Sequence, residues 1–438
     1  MRVAGLLFAL SLAPAAHAQM TAERAFEQAR QWTVVVRTSI DRAFIEDEQG
    51  SLMGSGLIID ATRGWVLTNA HVASHSYSSN TVMLAGGKPL PAQRVYVDPY
   101  VDIAILAYDP GKVATSIPVP TLKCDGSPAV GHPVGAFGHP WGFRFTGTRG
   151  IASAVTTRLG PAMLQTDAPI NSGNSGGPLI SLETGAVVGI NAASMRKDRS
   201  EGLSFAVPAT AACRILDLMR TGRDPSPPAR LLDFAVDENN ERTLVIARSR
   251  LTAGQMDLRV GDQIVGIGNP SIPLASESNL TDALRGQLDA VVLQVQRNGA
   301  PVTVRGTWPR IDPIVGRRAL WVSGAMFAAS ETGATALLKD SPALMIHHIE
   351  PGSEAQNGDL RPFDLLISAD GASVGSLAEL DSAATRARTA GRPLNLILLR
   401  IASEGEAELF LHQQRLLNPT EIEQVGPDGA STASVVAP

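Results

Sequence analysis

The serine in Gly173-Asn-Ser-Gly-Gly-Pro-Leu179 sits in a glycine-rich turn between two apolar segments, a setting that suits a nucleophile. A hydroxyl alone attacks poorly, so Ser175 matters only if a base and an orienting acid exist elsewhere. His71, in Thr68-Asn-Ala-His-Val72, follows the strand-like run Trp65-Val-Leu67, and Asp102 opens the apolar run Ile103-Ala-Ile-Leu106. Together the three would perform acyl transfer. His71 would take the Ser175 proton and return it to the leaving amine, while Asp102 holds the imidazole and stabilises its charged form. The backbone N–H groups of Gly173 and Ser175 would form an oxyanion hole, since Gly173 has no Cβ to cover its amide. Asp98 and Asp109 are the nearby rivals to Asp102.

The elements that must position these residues read as short strands. Thr33-Val-Val-Val-Arg-Thr38, Ser55-Gly-Leu-Ile-Ile59, Thr81-Val-Met-Leu84, Ala129-Val-Gly-His-Pro-Val134 and Ala186-Val-Val-Gly-Ile190 are bounded by turn residues. Many short strands without intervening helices predict a mostly β barrel or sandwich rather than an α/β sheet. Helices are expected over 21–31 and 209–220, and the proline-rich stretch 223–230 reads as a linker closing a first unit at 19–222. Beyond it, Ala253-Gly-Gln-Met-Asp-Leu-Arg-Val-Gly-Asp262 resembles Ala355-Gln-Asn-Gly-Asp-Leu-Arg-Pro-Phe-Asp364. Each precedes a strand, a helix and another strand, which predicts two copies of one small α+β unit at 231–308 and 317–402. Residues 403–438 are an extension, expected to be disordered after about residue 417.

Residues 1–18 read as an export signal: Arg2, an apolar stretch from Val3 to Ala13, and the small-x-small site Ala16-His-Ala18. No later segment is apolar and long enough to span a bilayer. A formal charge of −5 gives no nucleic-acid footprint. No zinc-ligand spacing and no phosphate-binding Gly-x-x-x-x-Gly-Lys-Ser/Thr loop is present, so neither metal nor cofactor is expected, and nothing would couple the chemistry to ATP. Cys124 and Cys213 read as two separate thiols, with Cys213 buried on a helix.

The order His71, Asp102, Ser175, with Gly54-Ser-Gly56, Phe137-Gly-His-Pro-Trp-Gly142 and Gly189-Ile-Asn191, resembles the HtrA (Deg) family. The resemblance implies an exported trypsin-like double β-barrel serine protease followed by PDZ domains, assembled from trimers. Matched residue by residue, it makes His71, Asp102 and Ser175 the catalytic triad, and places Ile170 and Asn191 in the substrate pocket. The wall Ala168-Pro-Ile-Asn171 carries no acid, so a small aliphatic P1 residue is expected rather than Lys or Arg. Asn174 stands where digestive trypsins have Asp, which removes their N-terminal ion pair; activity is expected to follow the order of loops such as 193–201. The segment 39–52 is too short for the oligomer-bridging loop of some relatives.

Both repeats look like degenerate PDZ units, modules that capture the C-terminus of a polypeptide by strand addition. The second has a candidate carboxylate nest at Gly324, within Trp321-Val-Ser-Gly-Ala-Met-Phe327; the first offers only Leu231-Leu-Asp-Phe234, without a glycine. The leading expectation is an ATP-independent endopeptidase acting on unfolded or misfolded exported proteins in the periplasm. The alternatives are a selective regulatory protease and a PDZ-based chaperone or scaffold.

Overall fold

The computed structural model describes residues 20–426 except 114–116, 140–144, 158–159, 195–202, 237–241, 253, 312, 331–342 and 405–406. The export signal at 1–18 and most of the loop at 193–201 lie outside the described residues. A helix, α1 (Ala22–Trp32), comes first; the Thr21 side chain caps it, and Ala25, Ala29 and Trp32 bury one face. Phe26, near that face, stacks on Phe137 with ring centroids 5.7 Å apart.

Alternating apolar residues then build two closed barrels. The first contains β1 (Thr33–Ile40), β2 (Gly50–Asp60), β3 (Trp65–Thr68), β4 (Ser79–Met83), β5 (Leu90–Asp98) and β6 (Ile103–Tyr108), closed in the order β1-β2-β3-β6-β5-β4. Val34, Val36, Leu57, Val66, Leu67, Ile103 and Ile105 are fully buried, each burial contributing about 1.5–3 kcal/mol. A one-turn helix, α2 (Ala70–Ala73), follows β3. The second barrel contains β7 (Pro133–Gly138), β8 (Thr146–Thr156), β9 (Met163–Thr166), β10 (Pro178–Ser181), β11 (Val187–Ser194) and β12 (Ser204–Pro208), in the order β10-β11-β12-β9-β8-β7. The strand expected from Ala129 starts only at Pro133, because the His132 N–H donates to the Ala129 carbonyl in a turn.

Helix α3 (Ala209–Arg220) packs on the second barrel, burying Ala212, Ile215 and Leu216. Its Cys213 is bonded to Cys124, correcting the expectation of two separate thiols. Backbone bonds from Lys123 to Val187 (2.8 Å) and from Val187 to Thr121 (2.9 Å) lay the 121–123 segment along β11, beside α3. The cysteines, 89 residues apart in sequence, thereby meet.

The stretch expected as a linker is packed rather than free: Pro225 to Pro228 are buried, and the Ala229 N–H donates to the Pro309 carbonyl at 2.7 Å. A third sheet follows, made of β13 (Leu232–Val236), β14 (Arg242–Ser249), β15 (Gln263–Ile267), β16 (Ile272–Pro273), β17 (Val291–Arg297) and β18 (Ala300–Gly306), with α4 (Glu277–Leu284) in the β16–β17 connection. A fourth contains β19 (Ala319–Val322), β20 (Ala325–Ala329), β21 (Leu344–Ile349), β22 (Leu365–Ala369), β23 (Ala372–Ser373), β24 (Leu394–Glu404), β25 (Ala407–Leu417) and β26 (Ile422–Val425), with α5 (Glu354–Asn357) and α6 (Leu377–Thr389).

One device recurs in both sheets. Asp262 accepts from the Arg259 N–H and pairs with Arg297 at 2.7 Å; Asp364 accepts from the Arg361 N–H and pairs with Arg400 at 2.6 Å. These acids belong to the repeated sequence motif, so the shared pattern encodes a shared turn as well as a shared strand.

Structure continues past residue 417, where order was expected to end. β25 pairs with β24 along its whole length, and β26 pairs with β19 at the opposite end of the sheet, in the order β25-β24-β22-β21-β20-β19-β26. Ile422 is buried there, and Glu423 pairs with Arg42 at 2.7 Å, which gives a polar segment its partners. Residues 427–438 lie outside the described residues. The short 41–47 segment, in turn, meets the fourth sheet: Phe44 packs against His347 and Arg317, and Glu46 pairs with Arg317 at 3.2 Å.

Candidate active site

β3 ends at Thr68, whose hydroxyl donates to the Ser55 carbonyl at 2.7 Å. The single turn of α2 buries Ala70, Val72 and Ala73 and leaves the His71 side chain 45% exposed. Asp102 closes the turn between β5 and β6, with a left-handed φ of 57° that aims its carboxylate at α2. Its Oδ2 and Oδ1 lie 2.8 and 3.0 Å from His71 Nδ1, and Oδ1 also accepts from the His71 N–H at 3.0 Å. Buried Asn69 donates from Nδ2 to the Asp102 carbonyl at 2.8 Å, fixing the acid from behind.

The rival aspartates serve elsewhere. Asp98 is fully buried and pairs with Arg285, whereas Asp109 caps a short turn through the Gly111 N–H. Only Asp102 of the three bonds to His71.

The turn bearing Ser175 is held by backbone bonds and one hydroxyl. Gly176 donates to the Asn191 carbonyl and Asn191 to the Gly177 carbonyl, both at 2.8 Å, while the Ser175 carbonyl accepts from the Ser55 N–H at 2.8 Å. Ser55 Oγ donates to the Gly173 carbonyl at 2.7 Å and accepts from the His139 N–H at 3.1 Å. Gly173 and Gly176 take φ of 99° and 82°, left-handed values that other residues rarely adopt, and a Cβ on Gly176 would lie 2.1 Å from the Ser55 carbonyl oxygen. Among the described residues, no backbone carbonyl takes the Gly173 or Ser175 N–H, so both donors remain available to a developing oxyanion.

The residues expected as base and acid are therefore assembled, but the serine expected as nucleophile is bonded elsewhere. Ser175 Oγ donates to the Ala192 carbonyl at 3.0 Å and makes no hydrogen bond to His71. Proton transfer requires that hydroxyl to leave Ala192 and face the outer nitrogen of the imidazole.

The two residues expected in the substrate pocket are both buried. Ile170 is 3% exposed and packs with Leu164, Leu179 and Val188 inside the second barrel. Asn191 is fully buried, its amide donating to the Pro178 and Phe137 carbonyls at 3.0 and 3.3 Å, and its backbone N–H and carbonyl bond to the serine turn. Sequence reasoning missed Ser55 as the bridge between the barrels; its signal was the flanking Gly54 and Gly56, where a Cβ would lie 2.7 Å from a side-chain carbon of Val72 and Val66 respectively. The nest expected at Gly324 has consecutive left-handed residues, Ser323 and Gly324, with φ of 49° and 97°. Both edges of β20 are nevertheless paired, to β19 and β21, and the outer edge of β19 is taken by β26. The edge expected to take an added strand in the second unit is thus filled by its own polypeptide, whereas β13 of the first unit pairs on one side only among the described residues.

Among the described residues no group of three or more His, Cys, Asp or Glu could hold a metal ion, and no helix is long and apolar enough to cross a membrane.

A family profile for a trypsin-like peptidase domain matches residues 54–190, the span that runs from the Ser55 bridge past the nucleophile turn. The chain is 30% identical over 348 residues to a probable periplasmic serine endoprotease DegP-like from Halomonas elongata, covering 73% of this chain and 71% of that protein. It is 34% identical to a counterpart of the same description from Pseudomonas fluorescens, covering 59% and 57%. Among solved structures it superposes on the HtrA-type protease AlgW with tripeptide at a TM-score of 0.54 and 27% identity, covering 67% of this chain and 98% of that one. With the two closed barrels, the serine turn and these relatives in agreement, the chain belongs to the HtrA/Deg family and is a serine protease.

Proposed function

We propose that the protein is an ATP-independent endopeptidase that cleaves unfolded or misfolded exported polypeptides in the periplasm. The observation that carries this reading is the His71–Asp102 pair, with both carboxylate oxygens on Nδ1, beside a serine turn in which no backbone carbonyl among the described residues takes the Gly173 or Ser175 N–H. In this reading His71 is the general base and then the acid, Asp102 fixes its tautomer, and Gly173 and Ser175 supply the oxyanion hole. Substrate would pair as an added strand and present a small aliphatic P1 residue to the acid-free wall 168–171 once Ile170 becomes accessible. The periplasmic relatives support the periplasmic location, and the likeness to the family supports a trimer-based assembly.

A second reading is supported by one observation. Ser175 bonded to Ala192 describes a resting state in which the nucleophile waits for a signal, as a selective regulatory protease requires. C-terminal peptides are the proposed signal; for the second PDZ-like unit, capture requires β26 and β19 to yield their edge.

Incubating an unfolded protein with the mature enzyme and with Ser175→Ala, and mapping cuts by mass spectrometry, tests both readings. Many cuts after Val or Ala, absent from the variant, support general proteolysis. Cuts confined to one native substrate, or appearing only with an activating peptide, support the selective reading. Identical cutting by the variant rejects the triad.

A further inference from the structure

Arg285 of the first PDZ-like unit reaches into the protease and ends beside the turn that carries Asp102. It follows α4 as the helix cap residue, and its side chain is fully buried. Its Nη1 pairs with Asp98 Oδ2 at 2.5 Å and donates to the Pro225 carbonyl at 2.6 Å. Tyr96 donates its hydroxyl to the same Asp98 Oδ2 at 2.7 Å, and Arg214 of α3 donates to the Arg285 carbonyl at 3.0 Å. Asp282, one turn back on α4, lies 3.4 Å from Arg285 Nε.

The other oxygen of Asp98 faces the catalytic turn. Asp98 Oδ1 accepts from the Tyr100 and Val101 N–H groups at 3.0 and 3.1 Å, and Asp102 is the next residue. Register across β5 and β6 pairs Asp98 with Ile103, so residues 99–102 form the whole connection. One carboxylate thus clasps the turn with one oxygen and is neutralised by the PDZ-like unit with the other. A fully buried carboxylate without a counter-charge would draw a proton or water and rearrange its hydrogen bonds. Asp102 also holds a left-handed φ, a conformation that persists only where the surroundings fix it.

We infer that Arg285 is a positioning residue for Asp102: the first PDZ-like unit acts as a built-in brace that sets the orientation of the catalytic acid through Asp98. This inference rests on the proposed role of Asp102 in the triad. It assigns the first unit a task that does not depend on capturing a peptide.

The test compares full mature proteins carrying Arg285→Met, Arg285→Lys, Tyr96→Phe, Asp102→Asn and Arg310→Met in steady-state cleavage of a peptide, across pH. Arg310 pairs with Asp224 and Asp289 between the linker and the first unit without touching Asp98, so it controls for looser docking. Arg285→Met should lower kcat about 10- to 100-fold with KM nearly unchanged, the scale of a small misplacement in an active site. The acidic limb of its kcat/KM profile should move to lower pH, because an imidazole with a misplaced acid holds its proton less tightly. Arg285→Lys should restore part of the rate, Tyr96→Phe should shift the limb in the same direction with a smaller loss, and Arg310→Met should match the parent. If Arg285→Met fails to fold, the Lys and Phe variants decide the matter, since each leaves the buried site filled. Parent-like kcat and pH limb in those variants, or an equal loss in Arg310→Met, overturns the inference. Should Asp102→Asn retain full activity, the triad reading itself fails, an outcome distinct from loss of the brace alone.

Discussion

Ser55 shows how one hydroxyl can couple two barrels. It stands on β2 of the first barrel, donates to Gly173 in the nucleophile turn and accepts from His139 beyond β7. Ser55→Ala leaves the buried Gly173 carbonyl without that donor, and the turn then has a reason to flip its peptide toward another partner. The expected outcome is a fall in kcat of about tenfold or more, equivalent to at least ~1.4 kcal/mol of transition-state stabilisation, with KM little changed and the melting temperature slightly lowered. Steady-state kinetics on the purified variant checks it; an unchanged kcat would show that the oxyanion donors are fixed without Ser55. At this scale the sequence was legible where chemistry and local pattern coincide. His71, Asp102 and Ser175 each sit where an apolar strand pattern meets a turn, but the pattern left Asp98 and Asp109 as rivals, and the family resemblance singled out Asp102. The Arg285–Asp98 pair, 187 residues apart, has no local signature. Nor does the Ser175 rotamer, which depends on the Ala192 carbonyl across the barrel.

Elements add what residues in isolation do not show. The barrels were legible from strand alternation, and the paired α+β units from a shared Asp that proves to be the Arg-paired turn acid in both. β26 was illegible because Glu423 and Gln424 read as a polar tail; only Arg42 and the β19 edge explain why they form a strand. β21 carries a further consequence. His347 is buried against Phe44, with Nε2 3.1 Å from the Ala329 carbonyl, and burial together with nearby Arg317 lowers its pKa to about 4. Glu46 opposes that shift without cancelling it. The folded state therefore keeps His347 neutral while the unfolded polypeptide takes up a proton near pH 6.5. Stability from this group is fully present above about pH 6.5 and lost as pH falls toward 4, at no more than about 1.4 kcal/mol per pH unit. His75 runs the other way: hydrogen bonding and charge from Asp47 raise its pKa against the cost of burial, so its contribution is present below about 6.5 and fades as pH rises through the raised value. Urea unfolding of the parent and of His347→Phe between pH 8 and 4.5 separates the two. The parent should lose stability relative to the variant as pH falls; parallel curves would mean that His347 titrates normally.

On the scale of the whole molecule, each C-terminal sheet touches the protease next to one member of the His–Asp pair. The first reaches the Asp102 turn through Arg285 and Asp98. The second meets the 41–47 segment through Arg317 and Glu46, and within that segment Asp47 accepts from the Ser74 hydroxyl and from the His75 and Ser76 N–H groups, just after α2. The hydrogen bonds of this network keep Asp47 well below the usual carboxylate range despite its burial, so the loop behind His71 stays tied at neutral pH. In the proposed reading, base and acid are braced from outside, while the Ser175 hydroxyl is held by the Ala192 carbonyl. Such a division suits an enzyme whose last catalytic step of assembly is the movement of Ser175.

The central claim is that Ser175 is the nucleophile and His71 its base, and active-site labelling tests it most directly. The mature protein would be titrated with a serine-reactive fluorophosphonate while cleavage of an unfolded protein is followed, and the labelled peptide identified by mass spectrometry. The account predicts one label per protomer on Ser175, cleavage lost in proportion to labelling, and neither label nor cleavage in His71→Ala. Cleavage that persists in fully labelled protein, or a label on another serine that tracks the loss of activity, would contradict it.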